Sequence, residues 1–503
     1  MYDAIIFTDV TDTVLIFKAI GAYKCANMLR QNGYTCLVID HLHGFNSSEL
    51  KLILDKTISD RTLFVGFSTT FTMDTSTATT SEQGVAYKPM RDSFFPQGKE
   101  VEDEVIDHLK SLNKNCKVVL GGTSAHANIS NKNVNYSVMG YGEASVLMLA
   151  NHLKYSTPLE YSYKNIFGVV VVDNKTAAGY DFVNNTFSWD PMDVIGTKVL
   201  PIEIARGCIF KCKFCSYPLN GKENLDFIRH VDNLYQELQT NYDRFNVTSF
   251  IILDDTFNDN EPKLDILLAA IKRLSFQPKF WAYNRLDLVA TNYNLMDKLY
   301  DIGLRGMFFG IETLNKRTGL IIGKGYDRSK QINTLQKIRH RYGNDILLHG
   351  SFILGLPEES VESMNLTFES LMNETIPLHS FQFNALQLYK NDKVAFNSEI
   401  GKNYTEYGYI NSDPESTDIK VNWKNDYLNY QIASQMMTDF NRLGKESDRM
   451  HLANQVAFSL KNYSLDDEYL HNVKFKEVDW YEITKKKYNF IDMYKIELFK
   501  QLG

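Results

Sequence analysis

The 503-residue chain has only six cysteines, no apolar stretch near the roughly 20 residues a bilayer-crossing helix needs, and no surplus of positive charge. So little cysteine excludes a disulfide-stapled scaffold and indicates reduced thiols. The first residues lack the basic, apolar and small-residue order of a signal peptide. Together with the missing apolar runs, this leads us to expect a cytoplasmic protein with no membrane partner. A formal net charge of -7 argues against a nucleic-acid surface over much of the molecule. The short basic run Lys485-Lys486-Lys487 reads as a solvated helix face. What remains is a soluble globular composition, 44% hydrophobic and 23% charged, on a chain long enough for two or three domains.

The expected fold class is α/β. Over residues 1–175, short apolar runs (AIIFT, CLVID, TLFVGFS, KVVLGG, YSVMGYG and GVVVV) alternate with helical patterns. Continuous apolar strands between helices indicate a parallel sheet covered on both faces, the doubly wound Rossmann-like arrangement, with ligands bound beyond the C-terminal strand ends. Those ends are Thr8-Asp9, Ser68-Thr69, Gly121-Gly122-Thr123 and Tyr141-Gly142-Glu143. Residues 71–100 are polar and irregular and read as a long insertion near that mouth.

A second alternation, over residues 176–402, has strand-like runs at 200–205, 249–254, 280–284, 306–312, 346–355 and 381–389. Six strand–helix repeats fit a partial (β/α)6 TIM-like barrel, with chemistry at the C-terminal strand ends. Residues 403–503 are mostly helical. One stripe runs through Leu428, Ile432, Met436, Phe440 and Leu443, another through Met450, Ala453, Ala457 and Leu460, and both are read as a cap packed on the barrel.

Half of the cysteine lies in one place, Cys208, Cys212 and Cys215 of RGCIFKCKFCSY. A structural zinc site wants four ligands, and the nearest further candidate, His230, is 15 residues on. Three cysteines on a four-iron cube leave one iron open, which suits a reactive cluster. Cys25, Cys36 and Cys116 read as buried free thiols.

CIFKCKFC resembles the C-x3-C-x2-C signature of the radical S-adenosylmethionine (radical SAM) superfamily, with Phe214 as the usual aromatic before the third cysteine. The resemblance implies a [4Fe-4S] cluster on the three cysteines, with SAM chelating the open iron and cleaved to a 5'-deoxyadenosyl radical. Later strand ends are similar to the family too. Asp254 and Asp255 look like the acidic end of strand two in the cobalamin-linked branch, which implies a catalytic role. Arg285 is similar to the arginine facing the SAM carboxylate, and Glu312 to the strand-four glutamate that accepts from SAM. The segment SFILGLPEES, with Ser351, Gly355 and Pro357, is similar to the segment beside adenine. It departs at Glu358, where the family usually has glycine.

The order GAYKCANMLRQNGYTCLVID, VGFSTTF, VVLGG, VMGYGEASV resembles the cobalamin-binding domains of B12-dependent radical SAM proteins, and the two resemblances together cover about residues 1–400. This implies a corrin at the sheet mouth, contacted by Thr8, Asp9, Ser68, Thr69, Gly121, Gly122, Thr123, Tyr141, Gly142 and Glu143. The chain has no D-x-H-x-x-G, so no histidine is placed to ligate cobalt from below. The implied function is a B12-dependent radical SAM methyltransferase acting on an unactivated carbon of a small-molecule or peptide substrate, with flavodoxin or ferredoxin as electron donor. Cyclisation or rearrangement, and a non-catalytic sensor, stay open as alternatives.

Overall fold

A computed structural model describes every residue except 13, 82–83, 90–91, 123, 175–178, 218–226, 325–326, 392–396 and 453. The chain divides into two compact units. The first comprises Met1–Asp181, Thr186–Thr197 and Trp480–Gly503; the second comprises Phe182–Asn185 and Lys198–Asp479. No described helix is long and apolar enough to cross a membrane.

The strands of the first unit are β1 (Ala4–Val10), β2 (Cys36–Ile39), β3 (Phe64–Phe71), β4 (Met73–Ser81), β5 (Gly84–Pro89), β6 (Lys117–Gly121), β7 (Tyr136–Gly140), β8 (Ser162–Lys164) and β9 (Val170–Asn174). Seven of them form one sheet in the order β2-β1-β3-β6-β7-β9-β8, parallel except for the edge strand β8. The switch in strand order lies between β1 and β3, the position where open parallel sheets take their ligands. Ile5, Phe7, Leu37, Ile39, Val65, Phe67, Val118 and Leu120 fill the core. The helix Ser47–Thr57 starts where it does because Asn46 and Glu49 cap each other's backbone N–H groups.

Two expectations are corrected in this unit. The insertion at residues 71–100 is not irregular throughout: β4 and β5 pair antiparallel within it, and residues 82–83 and 90–91 lie outside the described residues. Beyond β5, Phe94 and Phe95 are buried on Phe67 at ring distances of 4.7 and 5.0 Å. Nor is Lys485–Lys487 all solvated. Lys487, on the helix Trp480–Leu502, is buried and donates to the Asp12 carbonyl, and burial lowers its ammonium pKa. This last helix belongs to the first unit: the Tyr494 hydroxyl accepts from the Asp40 N–H at 2.9 Å, and Lys495 pairs with Glu49 at 3.0 Å. Residues 403–503, read as one helical piece, are therefore shared between the two units.

The second unit is built on β10 (Val199–Ile202), β11 (Ser249–Ile252), β12 (Lys279–Asn284), β13 (Leu304–Glu312), β14 (Leu347–Leu354) and β15 (Ser380–Ala385). They are all parallel and hydrogen-bonded in chain order, the six-stranded partial barrel expected. On its outside, Phe381 and Phe383 pack against Phe368 and Phe440. The helix Tyr430–Glu446 meets this surface through Ala433, Phe440 and Gly444, whereas Ile432 and Leu443 of the expected stripe are exposed. The reason is polar: Asn441 bonds the N–H and C=O of Phe383 at 2.8 and 2.9 Å, which fixes the rotation of the helix. Met450, Ala457 and Leu460 are buried as expected, and Ala453 lies outside the described residues.

The helix Asn454–Leu460 packs on β12, β13 and β14. Just after it, Asn462 accepts from the N–H of Val199 at the start of β10, and Lys461 Nζ lies 3.4 Å from Ser249 Oγ at the start of β11. The N-terminal end of the barrel is thereby covered.

Candidate functional site

The chain leaves β10 through a bend fixed by one carboxylate. Asp254, at the end of β11, accepts the N–H groups of Ile204 and Ala205 at 2.8 and 3.0 Å. Its other oxygen lies 3.3 Å from Lys263, which also pairs with Asp259 at 2.6 Å and donates to the Thr256 carbonyl at 2.7 Å. Lys263 and both carboxylates are fully buried. Asp254, expected to be catalytic, is thus spent on holding the strand end from which the cysteine loop departs. Asp255 is different. It is half-exposed, its carboxyl is pushed up to about 7 by burial and then by Asp254, and it accepts from the Tyr217 side chain.

The cysteine loop follows that bend. Cys208 is buried with its sulfur 3.4 Å from the Thr256 hydroxyl, while Cys212 and Cys215 are half-buried and joined by a turn in which the Cys215 N–H donates to the Cys212 carbonyl. Arg285, at the end of β12, donates from Nη1 to Cys212 Sγ at 3.2 Å. Its other two nitrogens grip Asp287 at 3.0 and 2.6 Å, and its guanidinium lies 3.8 Å from the centre of the Phe210 ring. The two-pronged partner expected in SAM is therefore Asp287 here. A guanidinium and a hydroxyl aimed at two sulfurs suit thiolate ligands, whose charge such donors stabilise. Among the described residues, no three His, Cys, Asp or Glu side chains are close enough to share a single metal ion. A four-iron cube asks less, since each thiolate takes a different iron.

Glu312 ends β13 at a backbone φ of 65° and binds Lys324 at 2.9 Å. Lys324 also donates to the Gly310 carbonyl and stands 5.9 Å from the centre of the Phe214 ring, so it links the glutamate to the cysteine loop. Sequence reasoning missed Lys324, Thr256 and Lys263. Only the flanking glycines of GKG hinted at the first. Ser351 points inward from β14, toward Gln382 and Asn384. Gly355 follows β14 with its carbonyl accepting from Tyr409 at 2.7 Å, and Pro357 is buried after it. Glu358 adopts the left-handed φ of 60° that glycine usually supplies and pairs with Arg317, so the turn persists without the family's glycine.

At the mouth of the first sheet, Thr8, Ser68 and Gly121 stand in one row across β1, β3 and β6. Thr8 Oγ1 is buried with no hydrogen-bond partner, an unmet polar atom that a bound ligand could satisfy. Gly122, at a φ of 92°, sits so close to Thr70 that a Cβ there would be 2.7 Å from its N. Three expected ligand residues have other tasks. Asp9 is buried and accepts from the His43 N–H at 2.8 Å, with His43 Nδ1 2.7 Å away. The Thr69 hydroxyl joins the Gly121 carbonyl to the Ser124 N–H. Gly142 makes room for a thiol, since a Cβ there would be 2.7 Å from Cys25 Sγ. Tyr141 precedes the helix Gly142–Tyr155 without a side-chain cap, Glu143 is buried in its first turn, and Thr123 lies outside the described residues. Cys36 and Cys116 are buried as expected, with thiol pKa values pushed up to about 12 by burial.

Residues 202–371 match the Radical SAM superfamily. The chain carries a radical SAM domain. Its curated relatives include an uncharacterised methyltransferase of Pyrococcus horikoshii, 26% identical over 52% of this chain and 58% of the relative. Another is the bacteriochlorophyllide d C-12(1)-methyltransferase of Chlorobaculum tepidum, 22% identical over 37% of this chain and 40% of the relative. The chain thus spans little more than half, and two fifths, of these relatives. In fold it matches TsrM of Kitasatospora setae, a radical SAM methyltransferase solved with cobalamin and a [4Fe-4S] cluster (TM-score 0.64, 14% identity, 99% of this chain and 100% of that one). It also matches OxsB, a cobalamin-dependent radical SAM enzyme (TM-score 0.62, 13% identity, 99% of this chain and 72% of that one). The radical SAM domain and the expected pairing of a Rossmann-like sheet with a partial barrel are both present.

Proposed function

We propose that the protein is a cobalamin-dependent radical SAM enzyme that methylates an unactivated carbon of its substrate. In this reading Cys208, Cys212 and Cys215 hold a [4Fe-4S] cluster, and the row Thr8, Ser68 and Gly121, with Gly122 just after it, receives the corrin. The bound groups supply a one-electron cleavage of SAM and a methyl donor. The observation that carries the reading is the contact of Arg285 Nη1 with Cys212 Sγ at 3.2 Å, at the C-terminal end of a six-stranded parallel barrel.

The chain's own task is placement. Asp254 and Lys263 fix the bend before the cysteine loop. Thr256 stabilises negative sulfur on Cys208, and Arg285 does so on Cys212. Glu312 accepts a cationic group, a position Lys324 fills in this structure, and a bound SAM amino group suits the same carboxylate. Asp255 stands at the barrel mouth, where substrate enters. We place the enzyme in the cytoplasm, with flavodoxin or ferredoxin as its electron donor.

The test is anaerobic reconstitution with iron and sulfide, followed by iron counting and visible spectra. Wild type is expected to bind about four irons, and Cys212→Ala to lose the visible absorption. With SAM and a reductant, 5'-deoxyadenosine is expected, and S-adenosylhomocysteine beside it when substrate is methylated. A wild type without cluster absorption, or a Cys212→Ala variant that keeps it, overturns the reading. Turnover that yields 5'-deoxyadenosine alone replaces methylation with rearrangement.

A further inference from the structure

The inner face of the barrel is only partly buried. Register places Tyr283, Phe308, His349 and Ser380 in one row across β12 to β15, and Gly310, Ser351 and Gln382 in the row above. Ile353 and Asn384 begin a third row. Strands walled by helices outside and packed inside would bury both faces, as in a filled barrel. Here Tyr283, Phe308, Ile353 and Gln382 are half-buried and Asn384 is exposed, whereas the outward residues Ala282, Phe309, Phe352 and Phe383 are buried. The barrel therefore encloses a chamber. The helix Asn454–Leu460 covers its N-terminal end, and it opens at the C-terminal strand ends, where Asp255, Arg285 and Glu312 stand.

The chemistry of this chamber is uniform. Its floor is a run of aromatic rings packed edge-on or tilted against one another, with centroids 4.7 Å apart for Trp281 and Tyr283, 5.0 Å for Tyr283 and Phe308, and 4.8 Å for Phe308 and His349. His349 is 2% exposed, and its Nδ1 lies 2.8 Å from Ser380 Oγ, with the Gln382 side chain beside the ring. Burial lowers its pKa to about 3, so the imidazole is neutral. The wall above is neutral as well, made of Ser351, Gln382 and Asn384, with both amides reaching toward the Ser351 hydroxyl at 3.5 and 3.3 Å. Of the charged groups at the mouth, Arg285 is matched by Asp287 and Glu312 by Lys324, while Asp255, whose carboxyl burial pushes up to about 7, accepts from Tyr217 and lies near Tyr283. An anionic group pushed down to the floor would lose its water and find no cationic partner. A flat ring gains aromatic contact there, and its polar substituents find amides.

We infer that this inner face receives a planar part of a substrate that carries hydrogen-bonding groups and no negative charge, seated on Tyr283, Phe308 and His349 and read by Gln382 and Asn384. Naming the occupant a substrate rests on the proposed reaction; the preference of the chamber for such groups does not.

Three small probes separate the terms: benzamide, benzoate, which differs in charge, and cyclohexanecarboxamide, which differs in flatness. Their dissociation constants are measured by saturation-transfer NMR on the iron-loaded protein under anaerobic conditions. Benzamide is expected to bind at least about tenfold more tightly than either of the others. Phe308→Leu and Asn384→Ala are each expected to weaken benzamide by about fivefold or more without changing iron content, and Asn384 is exposed enough that its loss leaves the fold alone. Equal binding of benzoate or cyclohexanecarboxamide overturns the inference, as does benzamide binding untouched by both substitutions. SAM cleavage is scored in the same samples. Its absence beside selective benzamide binding overturns the proposed reaction and leaves the chamber standing, and cleavage without selective binding does the reverse.

Discussion

At the mouth of the barrel, charged side chains hold one another: Asp254 and Asp259 meet Lys263, Arg285 meets Asp287, and Glu312 meets Lys324. The row Thr8, Ser68 and Gly121 at the mouth of the first sheet is built from hydroxyls and glycine, and the acid beside it, Asp9, is taken up by His43. Both mouths sit at C-terminal ends of parallel strands, so topology does not explain the contrast. On the proposed reading, ligand chemistry does. Ion pairs keep charge in place for an exchange with a charged ligand, whereas hydroxyls and exposed backbone suit a large neutral surface with amide edges.

The sharpest way to break this contrast is to remove a barrel charge that has a structural task. Asp254→Ala leaves Lys263 with one acid partner fewer in a buried site and frees two backbone N–H groups, so a loss of about 3–5 kcal/mol is expected in urea unfolding, with poor cluster loading. A loss below about 1 kcal/mol would show that the pairing is incidental.

A smaller effect is a matter of pH. Glu359 is buried, bonded to the Thr313 hydroxyl at 2.6 Å, and burial pushes its carboxyl up to about 7 from an ordinary 4.5. A carboxyl raised in the folded state favours folding fully below 4.5, and that contribution drains away as pH rises to about 7. It amounts to about 3 kcal/mol, so wild type should lose stability across that window and Glu359→Gln should flatten the slope, read from urea midpoints against pH.

In the first unit the effects are those of packing. Gly142→Ala puts a methyl group on Cys25 and should cost about 1–3 kcal/mol, with Cys25→Ala restoring much of it in the double variant. Tyr494→Phe removes one bond to the Asp40 N–H and should cost about 0.5–1.5 kcal/mol by calorimetry. If Gly142→Ala instead leaves stability intact while abolishing corrin uptake, that glycine belongs to the ligand and the contrast between the mouths narrows.

Much of this was legible in the sequence, for a physical reason. The barrel strands are short apolar runs bounded by turns, so periodicity located all six, and the cysteine spacing is local chemistry that needs no fold to interpret. What escaped was long-range. Asp254-Asp255 at a strand end reads as a catalytic pair, and only the structure shows one acid turned to backbone amides and Lys263 and the other left half-exposed. Lys324 reaches back to Glu312 and Gly310 across a helix, a contact that leaves no periodic trace. The stripe on the helix Tyr430–Glu446 was misread because Asn441, a polar residue, decides which side faces the barrel. Glu358 shows the limit of motif reading: the glycine is absent, yet the backbone still takes the left-handed turn, held by neighbours that a motif does not contain.

The return of Trp480–Gly503 to the first unit also sets a timetable. A ribosome must add residues 198–479 before the helix that covers Asp40 and His41 exists, a delay of roughly 14–56 s at roughly 5–20 residues per second. For that interval the nascent first unit carries an uncovered edge beside β2, and a chaperone or a slow-folding intermediate has its opportunity there. A ligand that needs Asp40 and His41 covered has to wait for those residues, which makes the order of synthesis and loading a property of where this helix lies along the chain.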